Sequence, residues 1–344
     1  MNQFRLLPEW APQDGVLLTW PHAKTDWAPL LDEVETVYGH LAREICRRAE
    51  LIIAAPAETH SVIRNCLIAH QVDCARCHLV DADTQDTWAR DHGPLTVEHA
   101  GKLKILDFTF NGWGNKFAAD LDNQINQRLD AQGVFKVSLT QIDMVLEGGA
   151  VEIDETGALL TTRACLLNPN RNPHLSEAEV EALLQKHLGA KRINWLDYGY
   201  LAGDDTDSHI DTLARLAPEG GLVHVSCDDP EDEHYHELQQ MRHQLEGMTD
   251  ANNRPYTLYP LPWPQAIYDA EGNRLPATYA NFLILNGAVL VPVYQDEQDE
   301  SALQVVGRAF PGYEIIGIDC RVLIEQHGSL HCITMQLPEG AITP

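Results

Sequence analysis

EGGAVEIDETGALLTTRACLLNPNRNPHLSEAEVEALLQKHLGAKRINWL, residues 147–196, holds one complete structural unit. Ala150–Ile153 alternates as a strand, Asp154-Glu155-Thr156-Gly157 turns, and Ala158–Thr162 returns as a second strand. A helix follows, with Ser176 and Glu179 spaced as a capping box and Gly189 at its stop. Val180, Leu183, Leu184 and Leu188 fall on one face of it, so it buries one side. Ile193–Leu196 then closes the unit as a third strand. The order is strand, strand, helix, strand.

Outward from this stretch the same order recurs. From His209, Ile210–Leu216 and Leu222–Ser226 flank the Ala217–Gly221 turn. A helix is predicted from Asp229-Pro230 to Gly247, then a strand at Tyr256–Tyr259. Another copy has Phe282–Leu285, an Asn286-Gly287 hairpin, Ala288–Val293, a helix within Glu297–Ala309, and Glu314–Asp319. An earlier copy has Pro94–Val97, Lys104–Phe108, a helix around Ala118–Asp130, and Phe135–Ser138. The fifth is split between the ends. Cys332–Gln336 would pair with Gly15–Trp20, followed by helix Leu31–Arg48 and strand Leu51–Ala54, with Thr59–His70 and His78–Val80 inserted. Five units joined through the termini predict a propeller-like α/β domain spanning residues 1–344 as a single catalytic unit. An ordinary doubly wound sheet would alternate single strands with helices, and the hairpins argue against it.

Composition narrows the function classes. Apolar residues are 44% of the chain, enough for a substantial core. The formal net charge of −27, from 51 acidic against 24 basic residues, is the reverse of a nucleic-acid footprint. It mildly favours cationic partners. No apolar run approaches the roughly 18 residues of a membrane span, Asn281–Tyr294 being the nearest. The first residues carry Pro, Glu and Trp where a signal peptide needs an apolar stretch, so the expectation is a cytoplasmic enzyme that binds no membrane. The eight cysteines are then expected as free thiols. Cys74-Ala75-Arg76-Cys77-His78 has the spacing of a haem-attachment motif, but no second ligand pair occurs at usable spacing. It is expected to be a helix end leading into a strand.

The residue types that carry chemistry stand where the first strand of each unit begins: Asp91, Glu147, His209 and Cys332, with Asn281 at the equivalent point of the remaining copy. In a closed ring such positions converge on one axis. His209 and Asp211, two apart in an expected strand, would share a face. Gly148 and Gly149 would allow close backbone approach beside Glu147. One thiol, one imidazole and several carboxylates suit a guanidinium, which is planar, permanently cationic and a fork of N–H donors. Asp91 and Asp211 could bind it edge-on and bidentately. A thiolate at Cys332, favoured by His⁺ or by the bound cation, could attack its central carbon. His209 could protonate the departing nitrogen and later deprotonate water, with Glu147 orienting the imidazole.

At these residues the sequence resembles the agmatine deiminase family, which also holds bacterial peptidyl-arginine deiminases. The resemblance runs from Pro8-Glu9-Trp10 and Trp20-Pro21, through Trp88–Pro94, Glu147-Gly148-Gly149 and Ser208-His209-Ile210-Asp211, to His331–Pro338. It implies the pentein fold, five ββαβ units around a pseudo-fivefold axis. It also implies Cys332 as covalent nucleophile through an amidino-cysteine, His209 as acid/base, Asp91 and Asp211 as guanidinium clamp, and Glu147 as the histidine's partner. Trp88 and Asn281 would contact substrate, and Asp205 would meet agmatine's ammonium, with Asp204 and Asp207 crowding the same loop. The chain departs from many relatives in having His327-Gly328-Ser329-Leu330 where they carry a glycine run, which bears on substrate preference.

The expected reaction is hydrolysis of agmatine to N-carbamoylputrescine and ammonia in putrescine and polyamine biosynthesis, without metal or organic cofactor, in an enzyme that the resemblance implies is a homodimer. Deimination of free or peptidyl arginine is the alternative. Amidino transfer and a non-catalytic pentein used for binding are further classes. The first would need an amine acceptor, and the second would have no need for Cys, His, Asp and Glu together.

Overall fold

Five small sheets make up the computed structural model, which describes residues 4–343. Every sheet has the same core of three strands. The second strand lies in the middle, antiparallel to the first and parallel to the third. A hairpin joins the first two strands of four sheets, and a helical crossover leads to the third, as a parallel pairing requires. In the fifth sheet Thr334–Pro338 pairs with Gln13–Thr19, so the two ends of the chain share one sheet. Cys77–Asp81 extends that sheet, and Arg5–Leu6 adds to the edge of the one built on Leu95–His99.

The apolar pattern explains which strands lie deepest. Val16, Leu18, Leu51 and Ile53 face one hydrophobic cluster, while Leu17, Ile52 and Ala54 face the other. Side chains alternate along a strand, so a continuous apolar run is buried on both faces. Helix Leu31–Cys46 covers one side with Val34, Val37, Tyr38, Leu41 and Ile45. Helix Glu177–Leu188 has both halves of the capping box and a left-handed Gly189 at its end, matching the spacing in sequence.

Several boundaries differ from expectation. Residues 148–150 and 210–212 form 3₁₀ turns, and the strands begin only at Glu152 and Ala214. His209 and Asp211 therefore do not share a strand face. The last strand also starts late, at Thr334. The predicted strand Phe135–Ser138 lies instead at Leu139–Val145. Residues 134–136 are held by the chain's C-terminal segment, through Lys136 N–H to Ala341 and Thr343 N–H to Val134. The helix placed from Asp229 begins at Tyr235, because Asp229 caps a tight turn through Glu231 and Asp232. The helix around Ala118–Asp130 shrinks to a 3₁₀ turn and Ile125–Ala131. Cys74–Arg76 is a short turn entering strand Cys77–Asp81. All eight cysteines are free thiols. Among the described residues no helix is long and apolar enough to cross a membrane.

Candidate active site

Each chemistry-bearing residue sits in the tight turn that precedes the first strand of its unit. Asp91 lies in the single helical turn Ala89–His92, which stops at Gly93 ahead of Pro94. A backbone hydrogen bond from Arg90 N–H to the Cys332 carbonyl (3.0 Å) ties this turn to the last unit. Asp91 accepts from Gly149 N–H (3.1 Å) and from the Trp113 indole (2.9 Å), so both oxygens are fixed.

The two glycines after Glu147 are needed for space. A Cβ on Gly148 would stand 2.2 Å from the Arg90 carbonyl. One on Gly149 would meet His209 Nδ1 at 2.7 Å, Asp91 Oδ1 at 2.8 Å and Asp211 Oδ2 at 3.1 Å. Three side chains from two other units thus converge on one small volume beside Gly149. His209 Nδ1 lies 3.5 Å from Asp91 Oδ1.

The loop delivering His209 is strained and heavily pinned. Asp207 and Ser208 both take left-handed backbone angles, φ +65° each, which side chains other than glycine rarely adopt. Asp204 accepts from the Thr206 hydroxyl and the Ser208 N–H, and Arg171 binds Asp207 and the Thr206 carbonyl. Cys332 is held by Asn281, whose side-chain oxygen accepts from the His331 N–H (2.9 Å) and Cys332 N–H (3.2 Å) and lies 3.3 Å from the thiol. Asp211 Oδ2 is 3.9 Å from the same sulfur.

Burial dominates the electrostatics. It raises the Asp91 pKa well above the usual carboxylate range, and the nearby Asp211 adds to this. Burial pushes Asp211 the same way, but the hydrogen bond and charge of His331 more than offset it and leave that pKa lowered. His209 is drawn down to about 3 by burial, and both ring nitrogens lack a partner. Burial, then Asp211 and Asp91, push the Cys332 thiol well up. Burial thus disfavours the charged form of both the imidazole and the thiol. A cation arriving between the two aspartates would reverse the last two influences on the thiol.

Cys332, Asp91, Trp88, Trp113, Asp204 and Asp205 open on one cavity of about 180 Å³. Asp26, Asp86 and Phe117 complete its acidic, aromatic wall, and neither Arg nor Lys lines it. His209, Glu147, Asp211 and Asn281 are fully buried behind that wall. Asn281 does not face the cavity but braces the cysteine turn. Glu147 accepts from Arg171 Nε at 2.9 Å, and no hydrogen bond joins it to His209. Their nearest atoms lie within 4.8 Å, together with the Cys165 thiol. Of the crowded aspartates, Asp204 is consumed by its own turn and Asp207 by Lys116 and Arg171. The Asp205 carboxylate has no hydrogen-bond partner among the described residues.

Among the described residues two clusters carry metal-ligating types, Glu147 with Cys165 and His209, and Glu9 with Glu152 and His331. In each an arginine already pairs the carboxylate, Arg171 in the first and Arg215 in the second, and its charge opposes a cation.

Sequence reading missed Arg171, Trp113 and the Glu9–His331–Arg215 group. Trp113 had a signal, an aromatic between two glycines at 112–114. Arg171 lies in the polar loop around Asn168–Asn172, where no periodicity marks it.

Residues 5–338 match the family model described as Porphyromonas-type peptidyl-arginine deiminase. A Yersinia pestis protein named "Putative agmatine deiminase" is 31% identical, over 97% of this chain and 95% of its own. Among solved structures, the agmatine deiminase of C. jejuni is 38% identical with a TM-score of 0.87, covering 98% of this chain and 97% of that one. A Porphyromonas gingivalis protein described as "Putative Arginine Deiminase" is 48% identical with a TM-score of 0.92, covering 99% and 100%.

Proposed function

The chain belongs to the Porphyromonas-type peptidyl-arginine deiminase family, and from that premise we propose that it hydrolyses agmatine to N-carbamoylputrescine and ammonia. The observation that carries the substrate choice is the cavity wall. Its carboxylates come from Asp26, Asp86, Asp91, Asp204 and Asp205, with His327 but neither Arg nor Lys among the lining. Agmatine is cationic at both ends and lacks arginine's carboxylate, so it has no need of a basic clamp. Asp205, with no partner of its own, suits the ammonium end. Trp88 suits the stem between the two charges, and Gly328 lets it lie close, since a Cβ there would stand 2.1 Å from the indole.

The reaction is assigned as follows. Asp91 and Asp211 take the guanidinium edge-on, which orients its central carbon toward Cys332. The sulfur bonds to that carbon while the thiol proton moves through His209 to an amino nitrogen, which leaves as ammonia. A thiouronium on Cys332 remains. Water then adds to the same carbon, giving a proton to His209, and the C–S bond breaks to return the thiol and release the ureido product. Glu147 steadies the His209 pocket through Arg171 rather than by a direct bond. The five like-built sheets and the pairing of the two ends support a pentein arrangement of blades about one axis, a single domain from 1 to 344. The free thiols suit a reducing cytoplasm, and the product suits putrescine synthesis.

Arginine or peptidyl-arginine is the second reading, favoured by Lys116. Its ammonium lies 2.9 Å from Asp207 and 2.6 Å from the Asp205 carbonyl, and could meet a substrate carboxylate if it left Asp207. Ammonia release from agmatine and arginine, measured side by side, separates the two. Agmatine should turn over faster, and faster arginine turnover would overturn the substrate assignment. Cys332→Ser should abolish release while Cys320→Ser retains it; the reverse would mean that the nucleophile is misassigned.

A further inference from the structure

We propose that Glu9 and His331 are positioning residues of this site, forming a buried hydrogen-bonded chain that ends on Asp211 and fixes where its carboxylate points. The inference rests on the deiminase reading above. His331 Nδ1 lies 2.7 Å from Asp211 Oδ2, and His331 Nε2 lies 2.8 and 3.0 Å from the two oxygens of Glu9. Glu9 in turn accepts from Arg90 (2.9 Å), Arg215 (2.6 Å) and Gln336 (3.0 Å). Arg215 also pairs with Glu152. The far end reaches a second cavity, of about 50 Å³, lined by Glu9, Arg90, Glu152 and Gln336. At the near end Asp211 Oδ1 is buried with no partner, the atom left over for a substrate.

The charges define the device. Glu9, Glu152 and Asp211 face Arg90, Arg215 and His331, and with the Glu152 pKa raised to about 7 by burial the cluster is neutral with one proton held by either Glu152 or His331. Burial, then Arg215 and Arg90, pull the His331 pKa down, while Glu9 and Asp211 oppose them. Arg215 Nη2 also lies 3.1 Å from His331 Nε2, so an unprotonated Nε2 accepts from Arg215 and a protonated one donates to Glu9, and in both states Nδ1–H donates to Asp211. On its other side Asp211 faces Asp91, His209, Asp204 and Cys332. None of these gives Asp211 a hydrogen bond such as that from His331 Nδ1–H. Asp91, in similar burial but with no cation on it, has its pKa raised, whereas that of Asp211 is lowered. A buried ion cluster is weak evidence for stability, because desolvation consumes most of the attraction. Its termination on a carboxylate 3.9 Å from the nucleophile gives it a role in the site.

The test compares Glu9→Gln, which keeps shape, and His331→Asn with the parent enzyme in pH profiles of kcat/KM for agmatine. Agmatine affinity is measured by calorimetry in a Cys332→Ser background. With the chain cut, Asp211 should hold its proton to higher pH, so the acid limb moves up by roughly one pH unit or more in both readouts. KM should rise about tenfold in acid, at pH values where the variant's Asp211 is protonated and the parent's is not, and recover toward the parent value by neutrality. Superimposable profiles with a uniform loss of activity would overturn the inference and leave the deiminase reading intact. Absence of turnover by the parent on any guanidino compound would remove both. If His331→Asn does not fold, Glu9→Gln decides alone.

Discussion

At the residue scale the site depends on a few atoms with several duties each. Asn281 is the plainest case, since one oxygen holds two backbone N–H groups and also faces the thiol. Replacing it by Ala would orphan two buried donors, a cost of about 1–3 kcal/mol each, and would release the cysteine turn. We expect Asn281→Ala to lower kcat about 10²-fold and to change the alkylation rate of Cys332, because small misplacements of a nucleophile are expensive. Unchanged alkylation and turnover would show that Asn281 is dispensable to the turn. Asp91, Glu147, His209 and Cys332 were legible in sequence because each precedes a strand that hydrophobic alternation reveals. Arg171 and Trp113 were not, for they reach the same place from loops whose order comes only from tertiary contacts.

At the element scale, the turns matter more than the strands they introduce. The strand at Ala288–Val293 and the capped helix Glu177–Leu188 are written in local pattern, and both fall where the pattern puts them. The 3₁₀ turns at 148–150 and 210–212 are not, because Ala150 and Ile210 run on into the apolar residues of the strand that follows and only the backbone shows the change. The two kinds of element should respond differently to mutation. Ser176→Ala removes a surface cap and should cost about 1 kcal/mol, read as a lower Tm, with kcat/KM unchanged. Arg171→Lys keeps a charge but loses the fork that joins Glu147, Asp207 and the Thr206 carbonyl. It should cut kcat roughly 10- to 100-fold with a modest change in Tm, because the loop carrying His209 loses its frame. Equal activity in the two variants would mean that the loop needs no such frame.

At the scale of the whole molecule, the joining of the ends was legible because an incomplete unit at each terminus completes the other, and Thr334–Pro338 does pair with Gln13–Thr19. The length of the 134–145 segment was not, since the C-terminal residues that displace its strand lie about two hundred positions away. Charge is the other global property, and it makes the last prediction. Burial raises the pKa of Glu152 and Asp122 to about 7 and that of Asp86 to about 6. In the unfolded chain such groups ionise near 4. Between those limits these three groups hold more protons in the folded state, so their contribution to stability is greatest at the acid end and is lost as pH rises through about 7. The lowered carboxyls, Glu9, Asp211 and Asp232, act with the opposite sign in stronger acid, and the buried histidines His92 and His209, both drawn down to about 3, act with that sign up to the unfolded imidazole value near 6.5. Self-repulsion at a net charge of −27 adds to the loss at high pH. Tm should therefore fall from about pH 7 to 8.5, once the histidines are neutral in both states, and added salt should restore more of it at the alkaline end, where repulsion is greatest and screening counts most. A Tm flat or rising over that range would mean that these buried carboxyls are already ionised in the native protein.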